Sequence, residues 1–421
     1  MKIKTLTLLF FVSSCSYLLS QIDKPLVSEE YLPPLKKTDT YCSSKSKSTF
    51  ELVGSGHHAQ KMFSDLLHKH KELDFTDKAV LWSLMQMNIR PDMASPTARL
   101  QFMSRTNKGE SYWDFMEFPK AGEERDSYPF LDGLQQWLIQ NGKKRSLESY
   151  ADLLDQSLKG HFVVTEELEE TLLTKKELLK KNPIFQKLFF RGDEVLRTSE
   201  RMPRLSFRQT LELWRSHKGL ARAQNQLFGH ESKGEVVGLC NYDFSLYDRS
   251  IYLIDEVINP GHIFGVIDGE SAFMAVTSQG LKNFSPLNSG PLFKGTSRTR
   301  APAICQIKHD KGQSWFISLK SRDPGQHLYH LFRYGLHRTS DIQDVDRFIR
   351  HARHLFLSDP IRLVVESRRS RPEQIQELLK LNIPVYNAKS LGQIWGYGHF
   401  KNSQAHFIID ERQPGALYCS Y

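Results

Sequence analysis

The chain lacks long apolar segments beyond residue 22. Its 421 residues include only 5 Cys, and 57 basic side chains exceed 48 acidic ones by nine. Without a second apolar run, a multi-span membrane protein is excluded. A hydrophobic content of 39% with 26 Phe excludes a disordered or collagen-like chain. The length is sufficient for two or three domains with substantial cores.

Several motifs of catalysis and cofactor binding are also absent. The chain has no P-loop, dinucleotide fingerprint, H-E-x-x-H or C-x-x-C motif, so the sequence predicts no cofactor and no metal site. A G-x-S-x-G nucleophile elbow fails because Phe273 stands where the second glycine is required after Gly269 and Ser271. Catalysis therefore has no obvious sequence signature.

The N-terminus has the order of an export signal. Lys2 and Lys4 precede an apolar stretch at 6–12, which is followed by two serines and Cys15. This segment resembles the lipobox signal peptide of bacterial lipoproteins. The resemblance implies that residues 1–14 are removed and that Cys15 carries acyl chains, palmitate among them, which anchor the protein in a membrane. With Ser16 next, it also implies an outer-membrane location, facing the periplasm or the cell surface.

An uncleaved anchor helix is the alternative for this segment. Residues 5–22 carry no charge, and their 18 positions are the minimum for a membrane span. The following residues, from Cys15 to position 50, are rich in Ser, Lys and Pro. They bury little apolar surface, which predicts a flexible tether.

The other four cysteines would meet an oxidising compartment after export. Cys240 and Cys305 both lie in strand-like segments, and we expect them to form a disulfide bond. Cys42 and Cys419 would then join the two ends of the chain. Buried free thiols are the alternative.

Apolar periodicity divides the rest of the chain at about residue 230. Residues 51–230 are predicted to form a helical domain, because apolar side chains recur at helical spacing over 59–70. Ser95-Pro96 and Asn182-Pro183 each have the pattern of a helix start.

Residues 231–421 are predicted to form a mixed α/β domain. Short β-branched and aromatic runs separated by turn residues indicate an antiparallel meander over 250–277 and a hairpin over 303–319. A helix is predicted at 341–357 and a βαβ unit over 361–386. The expected fold class is α+β, with a mostly α-helical N-terminal half followed by this domain.

An Arg-rich segment is the first candidate site. The predicted strand 361–366 is followed by Arg368, Arg369 and Arg371, directly before a predicted helix. Guanidinium groups beside a helix N-terminus suit phosphate or carboxylate groups. Arg347 and Arg350 on the preceding helix add a second basic surface. A solvated loop, together with complementation of the helix dipole, is the alternative explanation.

Residues 360–421 also resemble a phospholipase D-type half-domain. A strand, a helix and an Ile-Pro-Val strand precede His399-Phe400-Lys401, and a further strand ends at Asp410. The resemblance implies that His399 is a nucleophile on phosphorus and that Lys401 binds phosphate, with Asp410 and Glu366 assisting. Eight residues separate Lys401 from Asp410, which is more than the family's spacing.

These features together predict a membrane-anchored envelope lipoprotein that is not an enzyme. It would bind an anionic, phosphate- or carboxylate-bearing envelope component or partner protein through its Arg-rich C-terminal domain. An envelope phosphodiesterase of the phospholipase D type and a structural assembly component are the alternatives. Nucleic acid is disfavoured as a partner, because few aromatic residues are interleaved with Lys and Arg.

Overall fold

The computed structural model describes residues 50–116, 127–158, 160–216, 222–224, 226–232, 234–242, 261–286, 293–296, 302–321, 323–358, 361–401, 404–410, 412 and 416–419. The predicted signal peptide with Cys15, the tether with Cys42, and the part of the predicted meander at 250–258 lie outside these residues. No helix in the described ranges is both long and apolar enough to cross a membrane.

Helices and strands occur in both halves of the described chain. The helices are α1 His57–Lys69, α2 Phe75–Ile89, α3 Pro129–Gln140, α4 Leu147–Ser157, α5 Glu166–Thr174, α6 Lys176–Leu179, α7 Pro183–Phe189, α8 Phe207–Ser216, α9 Pro324–Arg333, α10 Ile342–Arg350 and α11 Pro372–Leu379. The strands are β1 Phe50–Gly54, β2 Arg99–Thr106, β3 Gly109–Met116, β4 Phe162–Val163, β5 Phe190–Arg191, β6 Glu194–Val195, β7 Arg201–Met202, β8 Arg222–Gln224, β9 Phe228–Ser232, β10 Glu235–Cys240, β11 His262–Asp268, β12 Ser271–Ser278, β13 Gly280–Pro286, β14 Phe293–Thr296, β15 Ala303–His309, β16 Gly312–Leu319, β17 His354–Ser358, β18 Ile361–Val365, β19 Val385–Asn387, β20 Gln393–Phe400, β21 His406–Ile408 and β22 Ala416–Cys419.

Two antiparallel sheets form the centre of the molecule. The first has seven strands in the order β22-β1-β11-β12-β2-β3-β8, and the second has six in the order β21-β20-β16-β15-β10-β9. Alternate side chains from both sheets, such as Ile263, Val276, Trp315 and Ile317, form one buried cluster between them. The two sheets therefore pack face to face as a sandwich.

Helices cover both outer faces of the sandwich. Side chains of α1 to α5 pack on the first sheet around the buried Trp82 and Trp137. Side chains of α9 and α10 pack on the second sheet around Phe316 and Ile349. The architecture is thus helix, sheet, sheet, helix, which confirms the predicted α+β class.

The predicted boundary at residue 230 is wrong. Strand β12 pairs with β2 over its whole length, with Met274 opposite Met103, so strands from both predicted domains form one sheet. Sequence patterns missed the β2–β3 hairpin because both faces of β2 are largely buried, which removes the polar-apolar alternation of a half-exposed strand.

The C-terminal predictions are partly confirmed. Strands β18 and β19 pair in parallel and α11 connects them, which is the expected βαβ unit. The hairpins β11–β12 and β15–β16 also form as expected. The predicted helix 341–357 is too long, because α10 ends at Arg350 and β17 begins at His354.

Of the two predicted disulfides, the structure contains Cys240–Cys305. These residues stand directly opposite each other in the pair β10–β15. The bond therefore links two neighbouring strands of the second sheet. The other predicted pair involves Cys42, which is not among the described residues.

Candidate functional site

Four strand ends meet at one end of the sandwich. In the first sheet β1 ends at Gly54, β11 begins at His262 opposite Thr277, and β12 ends one residue later. In the second sheet β16 ends at Leu319. A Cβ placed on Gly261 would lie 3.3 Å from both Val276 Cγ2 and Leu319 Cδ1, so the two sheets are in contact at this point.

Helix α2 brings polar side chains to this end. It begins with a capping box between Asp74 and Asp77, and almost all of its residues are buried. Its last turn holds Gln86, whose Oε1 lies 2.8 Å from His262 Nε2. The helix ends at Arg90 because Pro91 has no backbone N–H and disfavours a helical residue before it.

The loop after α2 is buried, which is unusual for a connection. Arg90 donates two hydrogen bonds to Asp92, at 2.9 and 2.8 Å, and both side chains are at most 4% exposed. The amide of Gln279 donates to the backbone carbonyl of Asp92 and accepts a hydrogen bond of 2.6 Å from Ser95 Oγ. The predicted helix start at Ser95-Pro96 is therefore a buried turn held by side chains.

Lys320 follows β16 directly and enters this polar environment. Its φ is 55°, a left-handed backbone conformation that is uncommon for a residue other than glycine. The pKa of its ammonium is lowered to about 8, mainly by burial and also by the nearby charge of Arg90, while Glu167, Glu170 and Asp92 oppose the shift. An amine with this pKa exchanges protons readily near neutral pH.

A serine and a carboxylate complete the cluster. Ser55 follows β1 between two glycines with positive φ, and its Oγ donates a hydrogen bond of 2.8 Å to Glu167 Oε1. Glu167 lies in α5 and also interacts electrostatically with Lys320. We call Ser55, Arg90, Asp92, Glu167, His262, Gln279 and Lys320 the sandwich-end cluster. It combines a half-buried amine with a hydroxyl that donates a hydrogen bond to a carboxylate.

We expect the free energy of unfolding to decrease as the pH falls below 6.5. Burial keeps the pKa of His262 well below the ordinary 6.5, and the charges of Arg90 and Lys320 add to the shift. Below pH 6.5 the unfolded chain binds a proton that the folded chain does not, so stability is lost down to the folded pKa. One pH unit costs about 1.4 kcal/mol for this imidazole.

Urea unfolding at pH 7.5 and 5.5 measures this loss. His262→Gln should reduce the difference between the two pH values, because it removes one imidazole that stays neutral in the folded state. His57→Gln, at the exposed start of α1, is the matched control and should leave the difference unchanged. An identical pH dependence in His262→Gln and the wild type would contradict the assignment.

The structure separates the residues predicted from the phospholipase D resemblance. His399 lies opposite Gln313 at one end of β20, whereas Asp410 accepts a hydrogen bond from Ile394 N near the other end. Five residue steps along a strand correspond to about 17 Å. His399 and Lys401 therefore cannot share a reaction centre with Asp410 and Glu366.

Glu366 and Asp410 instead belong to a buried ionic network, which we define as Arg353, Glu366, Asp410 and Arg412. Arg412 Nη2 lies 2.6 Å from Glu366 Oε2, and Arg353 Nη2 lies 2.6 Å from Asp410 Oδ2. Burial alone would raise the pKa of both carboxyls, but the two guanidinium groups outweigh it and the pKa of each is lowered. Both acids are thus ionised and fully engaged in holding the fold.

The predicted anion-binding arginines lie on the surface around β18 and α11. Arg368 and Arg369 are in a short 3₁₀ helix, and Arg371 is the N-cap residue of α11. In α10, Arg347 pairs with Asp344 at 3.2 Å and Arg350 with Asp346 at 2.7 Å. Acidic neighbours in the same helix therefore engage these two side chains.

Among the described residues, no group of three or more His, Cys, Asp or Glu could hold a metal ion.

Sequence reasoning did not single out the sandwich-end cluster as a site. Its members come from β1, the loop after α2, α5, β11 and the residues after β12 and β16, and none of them forms a short motif. Two signals were present: the glycines on either side of Ser55, and Pro91 directly after an apolar helix. Neither signal identifies a functional site until the sheet register, which brings the strand ends together, is known.

Comparison with known proteins gives matches in structure alone. No protein-family model and no curated protein sequence matches the chain. The solved structure of LmbA2991T421A matches with a TM-score of 0.65 and 10% identity, covering 93% of this chain and 100% of that one. The crystal structure of cephalosporin acylase from Bacillus halodurans matches with a TM-score of 0.54 and 10% identity, covering 91% and 99%.

These matches correct the predicted function. The prediction of a non-catalytic, anion-binding module is wrong, because more than nine-tenths of the chain shares the fold of an acylase. The alternative of a phospholipase D-like phosphodiesterase is not supported either, and its residues are far apart. At this level of identity, the chain shares the fold of cephalosporin acylase from Bacillus halodurans over nearly its whole length.

Proposed function

We propose that the protein is a hydrolase that cleaves an amide bond at the sandwich-end cluster. The observation that carries this proposal is Lys320, a half-buried amine with a pKa of about 8 on a left-handed backbone. Strained backbone and strongly shifted pKa values are concentrated at catalytic sites. The shared fold with an acylase supports amide hydrolysis as the reaction.

The proposed nucleophile is the Ser55 hydroxyl. Its hydrogen bond of 2.8 Å to Glu167 Oε1 is within the range in which a base can accept the proton during attack on a carbonyl carbon. The oxygen forms a bond to the carbonyl carbon and the proton passes to the carboxylate. Arg90, held in place by Asp92, supplies positive charge for the oxyanion that develops.

The proposed general acid is the Lys320 ammonium. When the C–N bond breaks, the leaving nitrogen must take up a proton, and an ammonium with a pKa of about 8 can donate one near neutral pH. Water then hydrolyses the acyl ester on Ser55 and restores the free enzyme. This role predicts that kcat/KM declines as the pH rises through about 8.

A panel of N-acyl amides, incubated with the full-length chain and followed by fluorescamine detection of released amine, tests the proposal. We expect measurable release, and a loss of about 100-fold or more in kcat for Ser55→Ala because a nucleophile is removed. Ser95→Ala is the matched control, since Ser95 is also buried in this region but donates to an uncharged amide. It should retain most of the activity.

Two results would contradict this assignment. An equal loss of kcat in Ser55→Ala and Ser95→Ala would show that both serines affect activity only through packing. Absence of amine release from every member of the panel, with release of another product such as an alcohol from ester substrates, would exclude amide hydrolysis as the principal reaction.

A further inference from the structure

A cavity with a basic lining lies at the end of the sandwich opposite the sandwich-end cluster. Its volume is 530 Å³, and its lining includes the hairpin turn between β15 and β16 and the end of β20. Strand β16 runs from this cavity at Gly312 to Lys320, which corresponds to about 25 Å. The cavity is therefore separate from the proposed active site.

Positive charge dominates the lining of this cavity. The lining contains one carboxylate, that of Asp310. It contains four cationic side chains: Arg105, Lys308, Lys311 and Lys401. These cations come from β2, from β15 and the turn after it, and from the end of β20, so they reach the cavity from different elements. Such an arrangement suits a ligand with several acceptor oxygens and more than one negative charge.

A contact between Arg105 and His399 organises one wall. Arg105 Nη1 lies 2.9 Å from His399 Nδ1. A guanidinium can only donate, so Nδ1 must accept and the neutral imidazole carries its proton on Nε2. The wall therefore offers an imidazole N–H beside the guanidinium. Glu110, which lies 3.9 Å from Arg105 Nε, accepts hydrogen bonds from the side-chain amides of Gln306 and Gln313.

The other wall is apolar. Val236 and Leu239 in β10 line the cavity and are 50% and 37% exposed, although both are large hydrophobic side chains. A second cavity of 740 Å³ shares Val236, Lys308, His309 and Asp310 with the first, so the accessible space continues past β10. Pockets of this size bind small organic molecules rather than single ions.

We propose that this cavity binds a small organic phosphate with an apolar substituent. The phosphate would lie between Arg105, His399 and Lys401, and the apolar group would lie against Val236 and Leu239. A phosphate carries two negative charges, and its oxygens are arranged tetrahedrally. It therefore suits cations on several sides better than a carboxylate, which is planar and carries one charge. The site gives the His399-x-Lys401 segment a role in binding rather than in phosphoryl chemistry.

Isothermal titration calorimetry of the full-length chain with phenyl phosphate tests the proposal. We expect saturable binding, with an affinity reduced about tenfold or more in Arg105→Gln, because a charged hydrogen bond is lost. Lys401→Gln, at an exposed position that does not threaten folding, should also weaken binding. Lys380→Gln, an exposed lysine of similar charge paired with Glu377, is the control and should bind like the wild type.

The comparison ligands identify which part of the proposal fails. Phenylacetate should bind more weakly than phenyl phosphate, because it lacks the phosphate. Inorganic phosphate should bind more weakly than either, because it lacks the group that contacts the apolar wall. Phenylacetate binding as tightly would overturn the assignment to phosphate. No saturable binding, or equal weakening in the Lys380→Gln control, would overturn the site itself. Lys320→Met should leave binding unchanged, so failure of the proposed hydrolase activity does not affect this test.

Discussion

We expect that replacing Lys320 by Met abolishes the proposed amide hydrolysis and makes the protein more stable at pH 7. The activity is lost because the proposed general acid is removed. Stability rises because the folded chain no longer holds an ammonium whose pKa burial has lowered from 10.5 to about 8. This difference corresponds to a gain on the order of 3 kcal/mol.

The pH dependence of stability distinguishes this explanation from a general packing effect. Above pH 10.5 the lysine is neutral in both the folded and the unfolded chain. Below about pH 8 it is charged in both, and this charge lowers the free energy of unfolding. The wild type should therefore gain stability as the pH rises from 8 to 10.5. Lys320→Met should lack that gain when both are unfolded in urea across this range.

Two further substitutions serve as controls for Lys320→Met. Lys380→Met changes an exposed lysine, so stability should change by about 0.5 kcal/mol or less. Lys320→Gly removes the amine and also suits the left-handed φ of 55°, so it should be inactive without a backbone penalty. Retained hydrolysis in either Lys320 variant would exclude the proposed acid, and a loss of stability in Lys320→Met would show that the ammonium supports the fold.

We expect that replacing Arg412 by Met destabilises the protein by about 3 to 5 kcal/mol, because two buried carboxylates lose a shared partner. Arg412 donates to both Glu366 and Asp410, and its side chain is only 1% exposed. It also donates to the backbone carbonyls of Ile349 and His351 at the end of α10. The guanidinium of Arg353 already donates to the backbone carbonyls of Ile349, Leu391 and Gly392.

Urea unfolding at pH 7 measures this effect, and Arg347→Met is the matched control. Arg347 pairs with Asp344 on the surface of α10, and such exposed pairs contribute about 1 kcal/mol or less. Adding Glu366→Gln to Arg412→Met should restore part of the stability, because it removes one unpaired charge. A loss in Arg412→Met no larger than in Arg347→Met would show that the network contributes little.

Local patterns were sufficient where neighbouring residues decide the structure. The βαβ unit over β18, α11 and β19 and the hairpins β11–β12 and β15–β16 were predicted because turn residues and apolar runs follow each other directly in the chain. The same patterns failed after Arg350. The apolar positions Leu355 and Phe356 suit either a helix or a strand, and pairing of β17 with β18 decides for the strand.

The candidate site shows the limit of sequence reasoning more clearly. His399 and Asp410 are close in the chain and suggested one reaction centre, but the extended strand β20 holds them apart. Ser55, Glu167 and Lys320 are distant in the chain, yet Lys320 interacts electrostatically with the carboxylate to which Ser55 donates. The order of strands in the two sheets is what creates this grouping.

The sequence by itself determined the α+β class, several hairpins and the βαβ unit, because these depend on residue type and short spacing. Only the tertiary structure decided that strands from both halves share a sheet and that Lys320 is partly withdrawn from water near Arg90 and Glu167. The physical reason is desolvation. The pKa of an amine depends on which groups exclude water around it, and these groups come from segments far apart in the chain.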